Sequence, residues 1–171
     1  MEKVQVKLPQ GKIIEVTSGQ KIQEVASSQG VNSNVIAAKI DGVAVDLDRA
    51  LSQDCTLDWI SLNSPEGLDI LRHSTAHLMA QAVQDLFPGT QVTIGPTIED
   101  GFYYDFKRDR SFTPEEIEKI EACMRDLAAL NLKVTREEIA RESAIELFRR
   151  MGEEYKVEIL EDIPEETVSL Y

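Results

Sequence analysis

The sequence has little positive charge and few cysteines, and each shortage excludes a class of protein. Eighteen basic residues face 31 acidic ones among 171 residues, so the formal net charge is −13. Because bulk binding to nucleic acid needs clustered Lys and Arg, any RNA contact must come from a local patch or a partner domain. The cysteines, Cys55 and Cys123, form neither a disulfide framework nor a zinc-ribbon spacing. We expect both to be reduced, buried thiols of a cytosolic protein.

Long apolar runs and several familiar motifs are also missing. No run approaches the roughly 18 residues of a membrane span, and the N-terminus has no signal-peptide pattern. We therefore predict a cytoplasmic protein without a membrane partner. A glycine-rich phosphate loop and an HExxH motif are absent, so the sequence supports neither a nucleotide site nor a zincin metalloprotease. No Ser-His-Asp or Cys-His triad is evident.

The first 62 residues predict a small α+β module with the order β-β-α-β-β-β. Strands are indicated by β-rich runs separated by turn residues, at 3–8, 13–16, 35–40, 43–45 and 57–62. Asp41-Gly42 is a strong hairpin turn. Ser18 is a plausible N-cap for the helix, and Gly30 is its stop. This order favours a ubiquitin-like β-grasp topology.

A turn-rich joint at 61–67 separates this module from the rest, so we predict domains at 1–62 and 63–171. Ser64 can cap a helix with Pro65 at its first position, ending near Phe87. A capping box at Thr113 opens another helix. Further elements are predicted as strands at 91–94, 101–106, 132–135 and from 168, and as helices at 114–130, 142–151 and 154–160. The last strand is only beginning where the sequence ends, so we expect an incomplete second domain.

The only two histidines, His73 and His77, stand four residues apart in the first of these helices. Residues at i and i+4 share one face, so the pair suits one metal ion or one water molecule. A projection at about 100° per residue gathers one predicted core stripe: Leu68, Leu71, Leu78, Met79, Ala82 and Leu86. The histidines project opposite, beside Asp69, Ala80 and Gln84, and are therefore either solvated or facing a cleft. A zinc site would need a third ligand from elsewhere.

The run 72–80 (RHSTAHLMA) closely resembles the HxxxH helix that opens the editing domain of the threonyl-tRNA synthetase family. The blocks Ile94-Gly95-Pro96, 100–106 (DGFYYDF) and Tyr155-Lys156 resemble the next blocks of that family. Residues 1–62 resemble its N-terminal TGS domain, a β-grasp module. HxxxH alone would also fit the editing modules of alanyl-tRNA synthetases, but the front module and the GFYYDF block favour the threonyl family.

This resemblance implies an α+β chain: a TGS domain followed by part of a two-layer α/β editing domain. It implies proofreading by hydrolysis of mischarged Ser-tRNA(Thr), because one methyl group discriminates by only about 1–3 kcal/mol. Carried over from the family, His73 and His77 hold and deprotonate water, Lys156 stabilises developing charge, and Tyr104 orients substrate or water. On pattern alone, Tyr104 fits a core strand position equally well, and Lys156 fits a solvated helix lysine.

The sequence departs from the family in lacking the CxxxH block and the Asp that complete the editing site. The class II catalytic core and the anticodon-binding domain are also missing, so we expect weak or no activity from this chain alone. We expect no metal or cofactor in it; ATP, Mg and Zn belong to the core of the full-length enzyme. The expected partner is the acceptor end of tRNA(Thr) carrying serine, bound by a homodimeric full-length enzyme. The alternatives are a non-catalytic TGS-containing regulatory module and an alanyl-type zinc-dependent deacylase.

Overall fold

A computed structural model describes residues 2–93 and 95–171 of the chain. The chain is mixed α+β and divides into two compact units, Met1–Leu71 and Arg72–Tyr171. The division falls inside a helix, further along the chain than the predicted joint at 61–67. Among the described residues, no helix is long and apolar enough to cross a membrane.

The first unit is built on a five-stranded sheet. Its elements are β1 (Lys3–Lys7), β2 (Ile13–Thr17), β3 (Gln20–Lys21), α1 (Ile22–Ser28), β4 (Val35–Ile40), β5 (Val43–Val45), β6 (Ala50–Leu51) and β7 (Cys55–Ser61). The sheet order is β2-β1-β7-β4-β5, with β1 and β7 parallel at its centre and antiparallel hairpins on both sides. The predicted β-grasp-like topology is confirmed.

Alternation of apolar and polar residues explains which face of this sheet is buried. Val4 and Val6 point into the core while their neighbours on β1 are exposed, as the period of two in a strand requires. Ile22 and Val25 of α1 pack into the same cluster. Asp41 and Gly42 have φ angles of 50° and 86°, the left-handed pair that a tight two-residue hairpin needs. The hairpin predicted at Asp41-Gly42 is therefore confirmed.

The predicted helix cap at Ser18 is wrong. Gly19 adopts a φ of +92°, which is incompatible with a right-handed helix, and β3 then pairs with β6 before α1 begins at Ile22. Strands of two residues carry no usable periodicity, so sequence patterns do not predict them. The expectation of buried thiols is also wrong, because Cys55 and Cys123 are free but only partly buried.

The second unit contains helices and short two-stranded sheets. Its elements, with the helix that crosses the division, are α2 (Pro65–Leu86), β8 (Gln91–Val92), β9 (Thr97–Ile98), β10 (Gly101–Phe102), β11 (Phe106–Lys107), α3 (Pro114–Ala129), β12 (Glu137–Ala140), α4 (Arg141–Met151), α5 (Glu154–Asp162) and β13 (Thr167–Leu170). Antiparallel pairs form between β9 and β10, β8 and β11, and β12 and β13. One apolar cluster includes Ala82, Val83 and Ile120. A second joins α4 to α5.

Helix α2 begins as predicted but buries a different stripe. The Ser64 hydroxyl accepts a hydrogen bond from the Gly67 N–H at 3.0 Å, and Pro65 occupies the first helical position. The buried side chains are mostly small ones, namely Ala76, Ala80, Ala82 and Val83, whereas three leucines assigned to the core stay exposed, Leu68, Leu71 and Leu86. Hydrophobicity favours leucine over alanine, but alanine lets a neighbouring element approach the helix closely. The predicted stripe is therefore wrong at those three leucines and at Ala80.

In the second unit two strand predictions need correction, and one strand was not predicted. The run at 101–106 forms two separate strands, β10 and β11, instead of one, and β9 was not predicted. The run at 132–135 is not a strand; β12 follows it and pairs with β13, leaving Leu132 and Val134 exposed at 66% and 69%. A strand forms only where a second strand can pair with it, and β13 pairs with residues 137–140 and not with 132–135. The predicted end of the strand at 91–94 falls on Ile94, which lies outside the described residues.

Helices α3, α4 and α5 follow their local signals. The Thr113 side chain accepts from the Glu116 N–H at 3.3 Å, and the Glu116 carboxylate accepts from the Thr113 N–H at 3.0 Å. This is the predicted capping box. Gly152, with a φ of 77°, ends α4 and lets α5 start two residues later.

Candidate functional site

His73 and His77 lie one turn apart on an accessible face of α2. Their Nε2 atoms are 3.0 Å apart, and the ring planes meet edge to face at 81°. One nitrogen must donate its hydrogen and the other must accept it, so the pair is compatible with one shared hydrogen between these atoms. Both side chains are exposed and are not packed into apolar surface, which would have favoured a non-catalytic module.

The environment of His77 favours the neutral imidazole. Partial removal of the ring from water lowers its pKa, and electrostatic interaction with His73 and with the Lys156 ammonium lowers it further. A neutral imidazole can accept a proton, which is the capacity that a general base requires.

Lys156 stands in the first half of α5, and its charge reaches His77. Its ammonium lies 5.1 Å from the centre of the Phe148 ring on α4, a cation–π contact that limits its freedom. The α4–α5 pair is held by buried apolar side chains, Ala144, Ile145, Val157 and Leu160. Lys156 is therefore partly buried and placed near the histidines, unlike an ordinary solvated helix lysine.

Tyr104 lies between β10 and β11 and is partly buried. Its ring stacks on Phe106 with 5.1 Å between centroids, and a Cβ added at Gly95 would overlap with the ring. Burial raises the pKa of the Tyr104 phenol, and the negative charge of Glu153 raises it further. The hydroxyl consequently stays protonated at neutral pH and can act as a donor.

Glu153 and Gln84 were not predicted as site residues. Glu153 is buried at 8% exposure, and its Oε1 accepts a hydrogen bond from the Gln84 side-chain amide. Gln84 comes two turns after His77, so it extends the histidine face of α2. The helical projection had placed Gln84 on that face. Glu153 carries no comparable signal, because it sits in a Gly-Glu-Glu run that is typical of solvated turns.

Two open grooves on the second unit lie away from these residues. One, of about 810 Å³, is lined by residues 87–91 and 107–110; the other, of about 370 Å³, is lined by side chains around Gly152. None of the four predicted site residues lines either groove. Within 2–93 and 95–171, no group of three or more His, Cys, Asp or Glu side chains is arranged to hold a metal ion.

Comparison with known proteins accounts for the whole chain. Residues 4–60 match the TGS domain family. The chain is 49% identical to the threonine–tRNA ligase of Pelobacter propionicus over 100% of this chain and 27% of that protein. It is 50% identical to the Legionella pneumophila (strain Corby) enzyme over 97% of this chain and 26% of that protein. For the Coxiella burnetii enzyme the identity is 48%, over 95% of this chain and 25% of that protein.

The chain thus spans about a quarter of the length of these curated relatives. Identity of 48–50% over 95–100% of this chain identifies the region concerned. The chain belongs to the threonine–tRNA ligase family, as a TGS-containing N-terminal region of such an enzyme.

Proposed function

We propose that the second unit contributes a hydrolytic site that removes serine from mischarged tRNA(Thr) in the full-length enzyme. The observation that carries the proposal is the accessible His73–His77 pair, with Nε2 atoms 3.0 Å apart and the charge of Lys156 acting on His77. Hydrolysis of an aminoacyl ester requires a base for water and a cation for the developing oxyanion. The pair supplies the base and Lys156 supplies the cation.

The proposed roles follow from the state of each side chain. The pair positions the water, and His77, held neutral with its hydrogen on Nε2, accepts a proton from it at Nδ1. The hydrogen between the two Nε2 atoms then moves to His73, so His73 carries the extra proton. Lys156 stabilises the charge that develops on the ester oxygen or the departing ribose. Tyr104, protonated at neutral pH, donates a hydrogen bond to substrate or water. No step in this scheme needs a cofactor from this region.

In the complete enzyme, we propose that this site acts on a charged tRNA. The partner is the acceptor end of tRNA(Thr) carrying serine, since the relatives are ligases that act on tRNA. Aminoacylation with ATP, Mg and Zn, homodimer formation and a cytoplasmic location belong to the same proposal for the full-length protein. The 171-residue chain alone should deacylate poorly, because it spans about a quarter of its relatives.

The test is deacylation of preformed Ser-tRNA(Thr) by the full-length enzyme carrying His73→Ala or His77→Ala. Loss of a general base typically lowers the rate by about 10²–10⁴-fold, and we expect a loss in that range for at least one variant. Gln81→Ala is the matched control, because Gln81 is exposed on the same helix, one turn after His77. Unchanged turnover in both histidine variants would remove the catalytic assignment.

A further inference from the structure

Glu153 is a buried carboxylate, and only one of its two oxygens accepts a hydrogen bond from a described residue. It lies at the corner between α4 and α5, where its N–H donates to the Phe148 carbonyl at 3.0 Å and its carbonyl accepts from the Val157 N–H at 3.1 Å. Its Oε1 accepts from Gln84, whereas its Oε2 is buried and has no hydrogen-bond partner among residues 2–93 and 95–171. A buried acceptor without a hydrogen bond lowers stability by about 1–3 kcal/mol. Such a group in a native structure therefore needs an explanation other than stability.

The Gln84–Glu153 bond joins the two elements that carry the proposed site. Gln84 lies on the histidine face of α2, and Lys156 comes three residues after Glu153, one turn into α5. The start of α5 is therefore attached directly to the face that carries His73 and His77. The apolar α4–α5 cluster fixes α5 against α4, but it does not involve the histidine face.

We propose that Glu153 is a positioning residue for the hydrolytic site: through its hydrogen bond to Gln84 it holds α5 against the histidine face of α2 and so sets the place of Lys156. The inference rests on the proposed function, because it names what positions one of that site's groups. In this proposal Glu153 acts through Gln84 and Lys156, and not on the water or the ester.

The two histidines make this positioning measurable without any catalytic assay. They are the only ones in the chain, so a labelled 171-residue sample gives two imidazole signals whose midpoints can be followed by NMR against pH. The groups that act electrostatically on His77 are its titratable neighbour His73 and the Lys156 ammonium, and both lower its pKa. Displacing Lys156 must therefore raise the His77 midpoint. Lys156→Met provides the reference shift for complete removal of that charge.

The variants separate the hydrogen bond from the charge of Glu153. Glu153→Ala and Gln84→Ala each break the bond, and we expect each to raise the His77 midpoint in the direction of Lys156→Met. Because both remove the same bond, the double variant should shift it no further than the larger single shift. Glu153→Gln keeps an oxygen that can accept from Gln84 and should leave the midpoint at its wild-type value. Glu154→Gln removes a negative charge at the exposed neighbouring position and should also leave the His77 midpoint at its wild-type value.

A His77 midpoint in Gln84→Ala equal to that of the wild type would overturn the proposal. Additive shifts in the double variant would also overturn it. So would a shift in Glu153→Gln equal to the shift in Glu153→Ala. If Glu153→Ala does not fold, Gln84→Ala alone decides the question. The titration involves no tRNA and no hydrolysis. A negative result here therefore leaves the proposed function standing, while a positive result is obtained even if the histidines prove not to be catalytic.

Discussion

His73 and His77 bring two imidazole nitrogens within 3.0 Å on one face of α2, and the charge of Lys156 acts on the second of them. The sequence predicts the shared face, because spacing of four residues in a helix determines it. It does not predict Glu153, whose role depends on a hydrogen bond to Gln84, 69 residues earlier in the chain. It also leaves Tyr104 undecided, since the pattern of its strand fits core and site equally well.

The lowered pKa of His77 predicts a pH dependence. If neutral His77 is the base, deacylation by the full-length enzyme rises with pH as His77 loses its proton and levels off. Because the pKa is lowered, the midpoint should fall below the ordinary value of 6.5. Lys156→Met removes a positive charge and should move the midpoint upward. The pH–rate profile under single-turnover conditions measures both, and a wild-type midpoint above 6.5 would contradict this account.

Substitutions at Gly95 and Gly101 form a matched test of whether the position of the Tyr104 ring matters for hydrolysis. A methyl group at Gly95 overlaps with the Tyr104 ring, whereas at Gly101 it meets no atom of the described residues within 4 Å and the backbone is unstrained. We expect Gly95→Ala to displace the ring and lower deacylation by about tenfold or more, since small misplacements in a catalytic site are costly. Gly101→Ala should leave the rate unchanged. Equal rates in the two variants would show that the position of Tyr104 does not matter.

At the scale of elements, local signals with a defined hydrogen-bond pattern predicted the structure best. The capping box of α3, the Ser64 cap of α2 and the Asp41-Gly42 hairpin all occur where the sequence places them. The predictions are wrong where the position of a strand depends on pairing with a strand that is distant in sequence. The strand predicted at 132–135 lies instead at 137–140, because its pairing is determined by β13, which the local sequence does not reveal.

The contribution of the α3 capping box to stability can be predicted. Glu116 accepts hydrogen bonds from Arg110, the Thr113 N–H and Arg108, and together these lower the pKa of its carboxyl to about 2. Thr113→Ala removes the reciprocal side-chain cap and should lower the free energy of unfolding by about 1 kcal/mol. Ser111→Ala, two residues earlier, removes a hydroxyl that does not cap the helix and should change stability little. Urea denaturation compares them; equal stabilities would show that the box contributes nothing measurable.

At the scale of the whole molecule, the chain consists of two units with separate apolar clusters and an excess of acidic residues. Composition predicts the acidity and allows two small domains, and the order of strands and turns predicts the β-grasp-like sheet. Composition does not predict that α2 buries alanines and exposes leucines, because that depends on how closely its neighbours approach.

The first unit carries the only tryptophan, Trp59, beside the buried Leu57 on β7. Leu57→Ala empties a fully buried position and should lower the stability of this unit by about 2–5 kcal/mol. The shift should appear in the denaturation curve followed by Trp59 fluorescence. Val43→Ala, at a position 67% exposed, should leave that curve nearly unchanged. A Leu57→Ala curve that overlays the wild type would contradict the assignment of the core.

The most direct test of the proposed hydrolysis is the accumulation of Ser-tRNA(Thr) when the full-length enzyme carrying His73→Ala and His77→Ala is given serine, ATP and tRNA(Thr). We predict that this variant charges threonine at the wild-type rate and accumulates Ser-tRNA(Thr), whereas the wild type and Gln81→Ala do not. A double variant that still clears Ser-tRNA(Thr) as fast as the wild type would contradict the account.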